Sequence, residues 1–403
     1  MKILIVSQYF YPEEFKINDL AETLVLKGHE VTVLTGKPNY PKGEYFDGYS
    51  FKGIVQESYK GAKVIRVPLI KRSKGGAKNL ILNYFSFVHY ARKYIKKNKI
   101  NVDAIICFEI SPITQAYPCI ECKKRYGGKI LLWVQDLWPE SVTAAGGIHN
   151  KLVLNMLNKM VKGIYDKIDK LMIQSPAFAE SILSKGNYKD KLAYVPNWAE
   201  DIFINNERIK KEKFASLMPK GFKVMFAGNI GAAQDFESII KAANETKEVS
   251  AIKWVIVGDG RARLKAEADV KKLGLEDTVI FVGRHPVEDM PNFFVHADAM
   301  LVSLRDEYIF SLTIPSKVQC YMAAGKPILT MLNGIGNEIV REARCGLTAN
   351  AGDYKSLAQN AKTLYNKSKE ELSEMGNNSA SYYFSHFDKD TVVNSIVKLI
   401  DND

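Results

Sequence analysis

"FAGNIGAAQDFESIIKAA" occupies residues 226–243, just past the middle of a 403-residue chain. It reads as the end of an apolar strand, a Gly-Asn-x-Gly turn and the start of a helix. A turn of this kind points backbone N–H groups at an anion. Dinucleotide enzymes carry theirs after the first strand. A phosphate turn in mid-chain therefore implies a second α/β domain that begins there and holds an activated, phosphorylated substrate.

The rest of the chain supports two domains. The length exceeds one ordinary core. Short β-branched runs alternate with helical patterns in two blocks. The first block has "KILIVS" at 2–7, "EVTVLT" at 30–35, "KVIRVP" at 63–68, "DAIICF" at 103–108, "KILLWVQ" at 129–135 and "LMIQS" at 171–175. The second has "KVMFAG" at 223–228, "KWVIVG" at 253–258, "TVIFVG" at 278–283, "AMLVSL" at 299–304 and "KPILTM" at 326–331. These runs are apolar on nearly every residue, so helices should cover both faces of a parallel sheet. The expected fold is α/β, with two Rossmann-like, doubly wound parallel-sheet domains facing a cleft. Pro196 ends the last strand of the first block, and a polar stretch follows. The expected domains are 1–198 and 222–375, with a final helical segment, 376–403, crossing back to the first domain.

Composition narrows the class. Hydrophobic residues make up 46% and charged residues 25%, as in a soluble globular enzyme. "MKILIVS" opens directly on a strand pattern, so no signal peptide is expected, and no apolar run is long enough to span a bilayer. Five cysteines, an odd number, fit a reducing compartment. "CIEC" at 119–122 has metal-like spacing but no second pair, and reads as two half-buried cysteines on a helix. The net charge of +11 is uneven: residues 1–200 carry 30 Lys/Arg against 18 Asp/Glu, and the remainder 26 against 27. The first domain should meet an acidic surface.

Ligands of open parallel sheets bind beyond the carboxyl ends of the strands. After the first strand comes "SQYFYPEEFKINDL", which lacks the Gly-x-Gly-x-x-Gly of a nicotinamide domain. It offers Tyr9, Tyr11, Glu13, Glu14 and Lys16 to a sugar, or is an ordinary surface loop. After the second strand, the long aromatic loop "GKPNYPKGEYFDGY" puts forward Asn39 and Tyr40 as acceptor contacts. "LLWVQDLWPES" brings Gln135 and Asp136 to the end of a buried strand. Asp136 is a base or charge stabiliser near the reacting sugar, or a turn residue before the next helix.

The second domain has three Gly-rich strand ends: Gly228, Asn229 and Gly231; Gly258 and Gly260; and "VGRHP", with Arg284 beside the place where a nucleobase could lie. "TIPSKVQCYMAAGKPIL" at 313–329 starts a helix at Pro315. It places Thr313, Ser316 and Lys317 where a diphosphate would meet the positive end of that helix.

"GHEVTVLTG", "VPN", "FAGNIG", "VGDG", "FVG" and "AAGKPI" occur in an order that resembles family 4 of the retaining glycosyltransferases, with the GT-B fold, across nearly the whole chain. "YFYPE", "PNYPKG", "QDLWPES", "GNIGAAQ" and "IPSK" resemble a narrower branch of bacterial capsule, O-antigen and colanic-acid enzymes that includes L-fucosamine transferases. The resemblance implies transfer from a UDP-sugar, such as an N-acetylated deoxyhexosamine, to an acceptor on undecaprenyl diphosphate, with retention at the anomeric carbon. The chain departs from the family pattern at several positions. Two glutamates common in the family align with Leu312 and Cys320, and an Arg and a Lys with Asn229 and Gln234. Gln135 stands where a histidine is frequent. Lys317 and the Gly-rich amides are left to neutralise the diphosphate, and Asp306 or Glu307 to hold the ribose. No Asp-x-Asp lies at a strand end, so no metal or other cofactor is expected. A UDP-sugar 2-epimerase and a non-catalytic sugar-nucleotide or glycan-binding protein are the alternatives.

Residues 71–99 raise a membrane question. Tyr84, Phe87, Val88, Ala91, Tyr94 and Ile95 form one helical stripe for the core. Lys71, Arg72, Lys74, Lys78, Phe85, Arg92, Lys93 and Lys96 would lie on the anionic inner face of the plasma membrane, giving a cytoplasmic, peripheral enzyme. The other reading of this segment is a core helix with a solvated basic face. No nucleic-acid module accompanies the basic patch, so nucleic acid is not an expected partner.

Overall fold

The computed structural model describes residues 1–73, 76–146, 150–204 and 212–401. The chain divides into two compact units, Met1–Val195 together with the segment from Asp390, and Pro196–Lys389.

The sheet of the first unit contains β1 (Lys2–Val6), β2 (Glu30–Gly36), β3 (Val55–Tyr59), β4 (Ala62–Val67), β5 (Ala104–Glu109), β6 (Lys129–Val134), β7 (Lys170–Ile173) and β8 (Leu192–Tyr194). Their order is β3-β4-β2-β1-β5-β6-β7-β8. β1 lies between β2 and β5, Ile5 pairing with Val33 on one side and Ile106 on the other. All six residues of β5 are buried, as expected of a central parallel strand covered on both faces. Only β3 runs antiparallel to its neighbour. Its burial alternates between half-buried and exposed, and this edge strand escaped the sequence reading because its sequence, "VQESY", is polar.

The sheet of the second unit contains β9 (Phe222–Ala227), β10 (Ile252–Val257), β11 (Val279–Gly283), β12 (Ala299–Ser303), β13 (Ile328–Met331) and β14 (Gly346–Ala349), all parallel. The order is β11-β10-β9-β12-β13-β14. The chain winds outward from β9 through β10 to β11, then returns to the other side of β9 as β12. The strand order reverses between β9 and β12, and open α/β sheets bind ligands at such a reversal. The "GNIG" turn leaves β9 there. An apolar core fills each face of this sheet, one around Phe226 and Trp254, the other around Met225, Val255 and Tyr321. Trp254 is fully buried and its Nε1–H donates to Thr246 Oγ1 at 3.1 Å; truncating such a side chain costs about 3–5 kcal/mol.

The structure moves two expected boundaries. Residues 196–198 go with the second unit: Gln319 Nε2 donates to Asn197 O at 2.7 Å, and Ala199 N to Tyr383 Oη at 3.1 Å. Residue 376 falls inside the helix Lys369–His386, which starts on a capping box of Ser368 and Glu371. Ser379 Oγ ties that helix to Lys326 O in the second unit at 2.7 Å. Only the following helix, Lys389–Asp401, crosses to the first unit. Lys27 pairs with Asp390 at 3.0 Å, and Lys129 Nζ bonds Ile400 O at 3.1 Å.

Candidate active site

In the second unit the three Gly-rich strand ends are zipped to one another. Gly228 N–H donates to Val257 O at 2.9 Å, Ile230 N–H to Asp259 O at 2.9 Å, and Gly258 N–H to Gly283 O at 2.8 Å. Gly231 N–H donates to Gln234 Oε1 at 3.1 Å. Of the four amides expected to face a phosphate, Gly228 to Gly231, those of Gly228, Ile230 and Gly231 are thus bonded within this unit. The glycines serve close packing instead. Gly258 has φ +149°, and a Cβ there would lie 1.9 Å from Gly228 O. Asn229 and Gly260 belong to the same packed turn, since a Cβ on Gly260 would fall 2.7 Å from Asn229 Oδ1.

Lys317 lies against this turn: a Cβ added to Gly228 would sit 3.0 Å from its Nζ. It stands in the first turn of the helix Ser316–Ala323. Its ammonium lies 5.2 Å from the Phe226 ring centroid, an arrangement attractive to a cation. It makes no ion pair or hydrogen bond among the described residues. Burial lowers its pKa, and the neighbouring Cys320 works weakly the other way. Lys317 lines a cavity of about 210 Å³ with Gln234, Ser303, Phe310, Thr313 and Ser316. That is below the roughly 300–1,000 Å³ of drug-sized ligand sites and suits a phosphoryl group. The cavity lies at the carboxyl end of β12, beside the reversal in strand order.

Three expected donor contacts lie elsewhere. Arg284 is exposed at the end of the edge strand β11. Asp306 and Glu307 are exposed, and Asn333 Nδ2 donates to Asp306 Oδ1 at 2.9 Å. None of the three lines the cavity.

In the first unit Asp136 is half-buried just past β6, and its Oδ2 accepts from Ser111 N–H at 2.8 Å. Sequence reasoning missed its neighbour Glu109, the last residue of β5. Glu109 is fully buried and neither carboxyl oxygen has a hydrogen-bond partner among the described residues. Burial, and secondarily the charge of Asp136, push its pKa well up, which favours the protonated acid. The signal was a lone acid ending an apolar strand, in "CFEISP".

The loops after β1 and β2 are knit together by a buried carboxylate. Glu13 accepts from Phe10 N–H at 3.1 Å, Asn39 N–H at 2.9 Å and Tyr40 N–H at 2.8 Å. Its pKa is pushed up to about 7 by burial, against the pull of those donors. Tyr9, Glu13 and Asn39 are therefore interior groups rather than sugar contacts. The Asn39 amide is spent on Lys37 O at 3.0 Å and Arg72 N–H at 3.1 Å. Tyr11 is 52% exposed and packs on Tyr59 with centroids 4.8 Å apart. Glu14 is exposed, Lys16 opens the helix Lys16–Leu26, and Tyr40 is partly exposed.

The helix Ala77–Lys97 buries Phe87, Val88, Ala91, Tyr94 and Ile95, and Tyr84 is half-buried. Lys78, Phe85, Arg92, Lys93 and Lys96 are exposed, Arg92 bonded to Glu121 at 2.9 Å. Lys71 pairs with Glu44. Arg72 does not face outward as expected: its guanidinium lies over Tyr9, Tyr40 and Tyr84, 5.0, 5.2 and 5.7 Å from their centroids. Lys74 lies outside the described residues. Cys119 and Cys122 are buried on one helix, and the described residues contain no cluster of metal-ligating side chains.

Comparison with known proteins agrees with this architecture. Residues 17–200 match the family described as Glycosyltransferase Family 4, and residues 221–367 match Glycosyl transferases group 1. The chain is 31% identical to the probable glycosyltransferase WbjE of Pseudomonas aeruginosa, over 58% of this chain and 59% of that protein. It is 24% identical to the putative colanic acid biosynthesis glycosyl transferase WcaI of Escherichia coli K12, over 81% of this chain and 82% of that one. Its fold matches sucrose-phosphate synthase of Thermosynechococcus elongatus with a TM-score of 0.76 at 15% identity, covering 99% and 98% of the two chains. It matches Anabaena HepE with a TM-score of 0.69 at 14% identity, covering 100% of both. With two matched domains in the right order, each on its own parallel sheet, the chain belongs to the family 4 glycosyltransferases of the GT-B fold.

Proposed function

We propose that this glycosyltransferase moves a sugar, with retention, from a UDP-sugar to a lipid-linked saccharide during synthesis of a bacterial surface polysaccharide. The observation that carries the reading is the uncompensated Lys317 beside a phosphoryl-sized cavity at the strand-order reversal of the second unit. Leaving-group charge grows on the diphosphate as the glycosidic bond breaks, and a preorganised, poorly hydrated cation stabilises it. Lys317 and the first turn of its helix then take the part a metal ion plays in other transferases. Asp136 is the acid–base or charge-stabilising group of the first unit. HepE has been crystallised with UDP and glucose, and WcaI is named for colanic acid synthesis; both favour a UDP-sugar and a polysaccharide pathway. An N-acetylated deoxyhexosamine such as L-FucNAc is the proposed sugar, and undecaprenyl diphosphate the proposed carrier.

We place the enzyme on the inner leaflet as a peripheral protein. No helix of the described residues is long and apolar enough to cross a membrane. The helix Ala77–Lys97 exposes Ile81, Leu82 and Phe85 beside Lys78, Lys93 and Lys96. The helix Lys151–Tyr165 exposes Leu152 and Met156 beside Lys151 and Lys159. Apolar side chains among lysines suit an anionic leaflet, each lysine near the surface contributing about 1 kcal/mol. The test is transfer from a panel of UDP-sugars to extracted lipid-linked acceptors in EDTA, with the anomeric configuration read by NMR. Turnover with retention supports the reading. UDP binding without turnover on any acceptor contradicts it.

A further inference from the structure

The charges at the carboxyl end of the first sheet do not balance locally. Glu13 is spent on three backbone N–H groups. Glu57 is bonded to Arg66 at 2.9 Å. Two cations remain. Arg72, beyond β4, has no carboxylate partner among the described residues. Its backbone N–H goes to Asn39 Oδ1, one guanidinium nitrogen bonds Tyr9 Oη, and its buried Nε has no partner among the described residues. Lys37, one residue beyond β2, is 1% exposed, and its ammonium makes no hydrogen bond or ion pair among the described residues. A guanidinium held on three tyrosine rings keeps its full charge and a fixed orientation. A buried donor left unpaired is costly unless something completes it. The group that completes a guanidinium fork is a carboxylate or a phosphate, and Glu13 and Glu57 are already engaged.

We infer that Arg72, set among Tyr9, Tyr40 and Tyr84, is the phosphate-binding residue of the acceptor subsite and takes a diphosphate ester, with the partly exposed Tyr40 and Tyr84 free to stack on the attached sugar. The inference rests on reading the first unit as the acceptor side. It gives Arg72 a role opposite to membrane facing: it recognises the substrate rather than the leaflet. The diphosphate could come from a lipid carrier or from a soluble sugar, and the shared chemistry is the pyrophosphoryl group.

The experiment is calorimetric titration of the full chain, in excess UDP to fill the donor cavity, with inorganic diphosphate, farnesyl diphosphate and uncharged farnesol. The variants are Arg72→Gln, Arg72→Lys and Lys317→Ala, and UDP affinity is measured on the same samples. Farnesyl diphosphate is expected to bind wild type and Lys317→Ala alike and to lose at least about tenfold in Arg72→Gln, with UDP affinity unchanged. Arg72→Lys keeps the charge without the fork and should fall between; it decides the matter if Arg72→Gln does not fold. Farnesyl diphosphate binding well above inorganic diphosphate assigns a lipid carrier, and equal binding assigns a soluble ester. Binding unchanged in both Arg72 variants, or lost only in Lys317→Ala, overturns the inference. Failure of UDP to bind at all would count against the transferase reading instead, so the two failures are distinguishable.

Discussion

Lys317 lies against the backbone of Gly228: a Cβ added to Gly228 would sit 2.8 Å from Lys317 Cε and 3.0 Å from its Nζ. Gly228 also has φ +137°, a conformation side chains rarely adopt. The glycine of the "GNIG" turn therefore makes room for the lysine rather than for a phosphate. Gly228→Ala should displace the ammonium and weaken UDP binding by at least about tenfold, equivalent to about 1.4 kcal/mol. Calorimetry checks this. Unchanged affinity would separate the turn from the lysine.

Lys317 should trade stability for function. A poorly hydrated ammonium without a partner destabilises the free protein. Its lowered folded pKa means that the unfolded chain binds more protons between that value and the usual lysine range, so the stability penalty is present at neutral pH and fades as pH rises. Lys317→Met is expected to raise Tm at pH 7 while UDP binding is lost. Thermal unfolding with and without UDP reads both effects. A lower Tm in the variant would mean that the lysine is a structural group.

Glu109 gives a pH signature of the opposite sense. Its folded pKa is raised, so the native state holds a proton that the unfolded chain releases above about pH 4.5. Its contribution is complete below that pH and lost as pH rises through the folded value. Glu109→Gln should gain stability relative to wild type as pH rises above about 4.5, with the gap closing toward pH 4.5. In an Asp136→Asn background the gap should shrink, because the neighbouring charge contributes to the shift. A pH-independent difference would contradict the assignment of a protonated Glu109.

Glu13 should act as a fastener of the loops after β1 and β2. Glu13→Ala leaves the N–H groups of Phe10, Asn39 and Tyr40 unpaired and should cost about 1–3 kcal/mol. Hydrogen exchange would show faster exchange at Asn39 and Tyr40, with the β9–β14 sheet unaffected. Uniform loosening of both units would refute this local role.

Two parallel sheets were legible because parallel strands are apolar on every residue, as in "KILIVS" and "KVMFAG", and this pattern survives without alignment. The place of Lys317 in the first turn of a helix was legible because Pro315 and Ser316 mark a helix start. The committed amides of Gly228, Ile230 and Gly231 were not legible, because a Gly-rich turn reads alike whether its N–H groups face a ligand or the next strand. Arg72 was misplaced for a related reason. A basic run looks solvated in sequence, and only tertiary structure brings Tyr9, Tyr40 and Tyr84, from three separate segments, around one guanidinium. Glu109 was missed because the expected strand stopped one residue short of it.

In the proposed function, the second unit holds the nucleotide of the donor through Lys317. Its most direct test is calorimetric titration of UDP into wild type and Lys317→Ala, with GDP, ADP and NAD as controls. Binding selective for UDP is expected, weakened by at least about tenfold in the variant, with both proteins equally folded. No nucleotide binding by folded wild type, or equal UDP affinity in the variant, would contradict it.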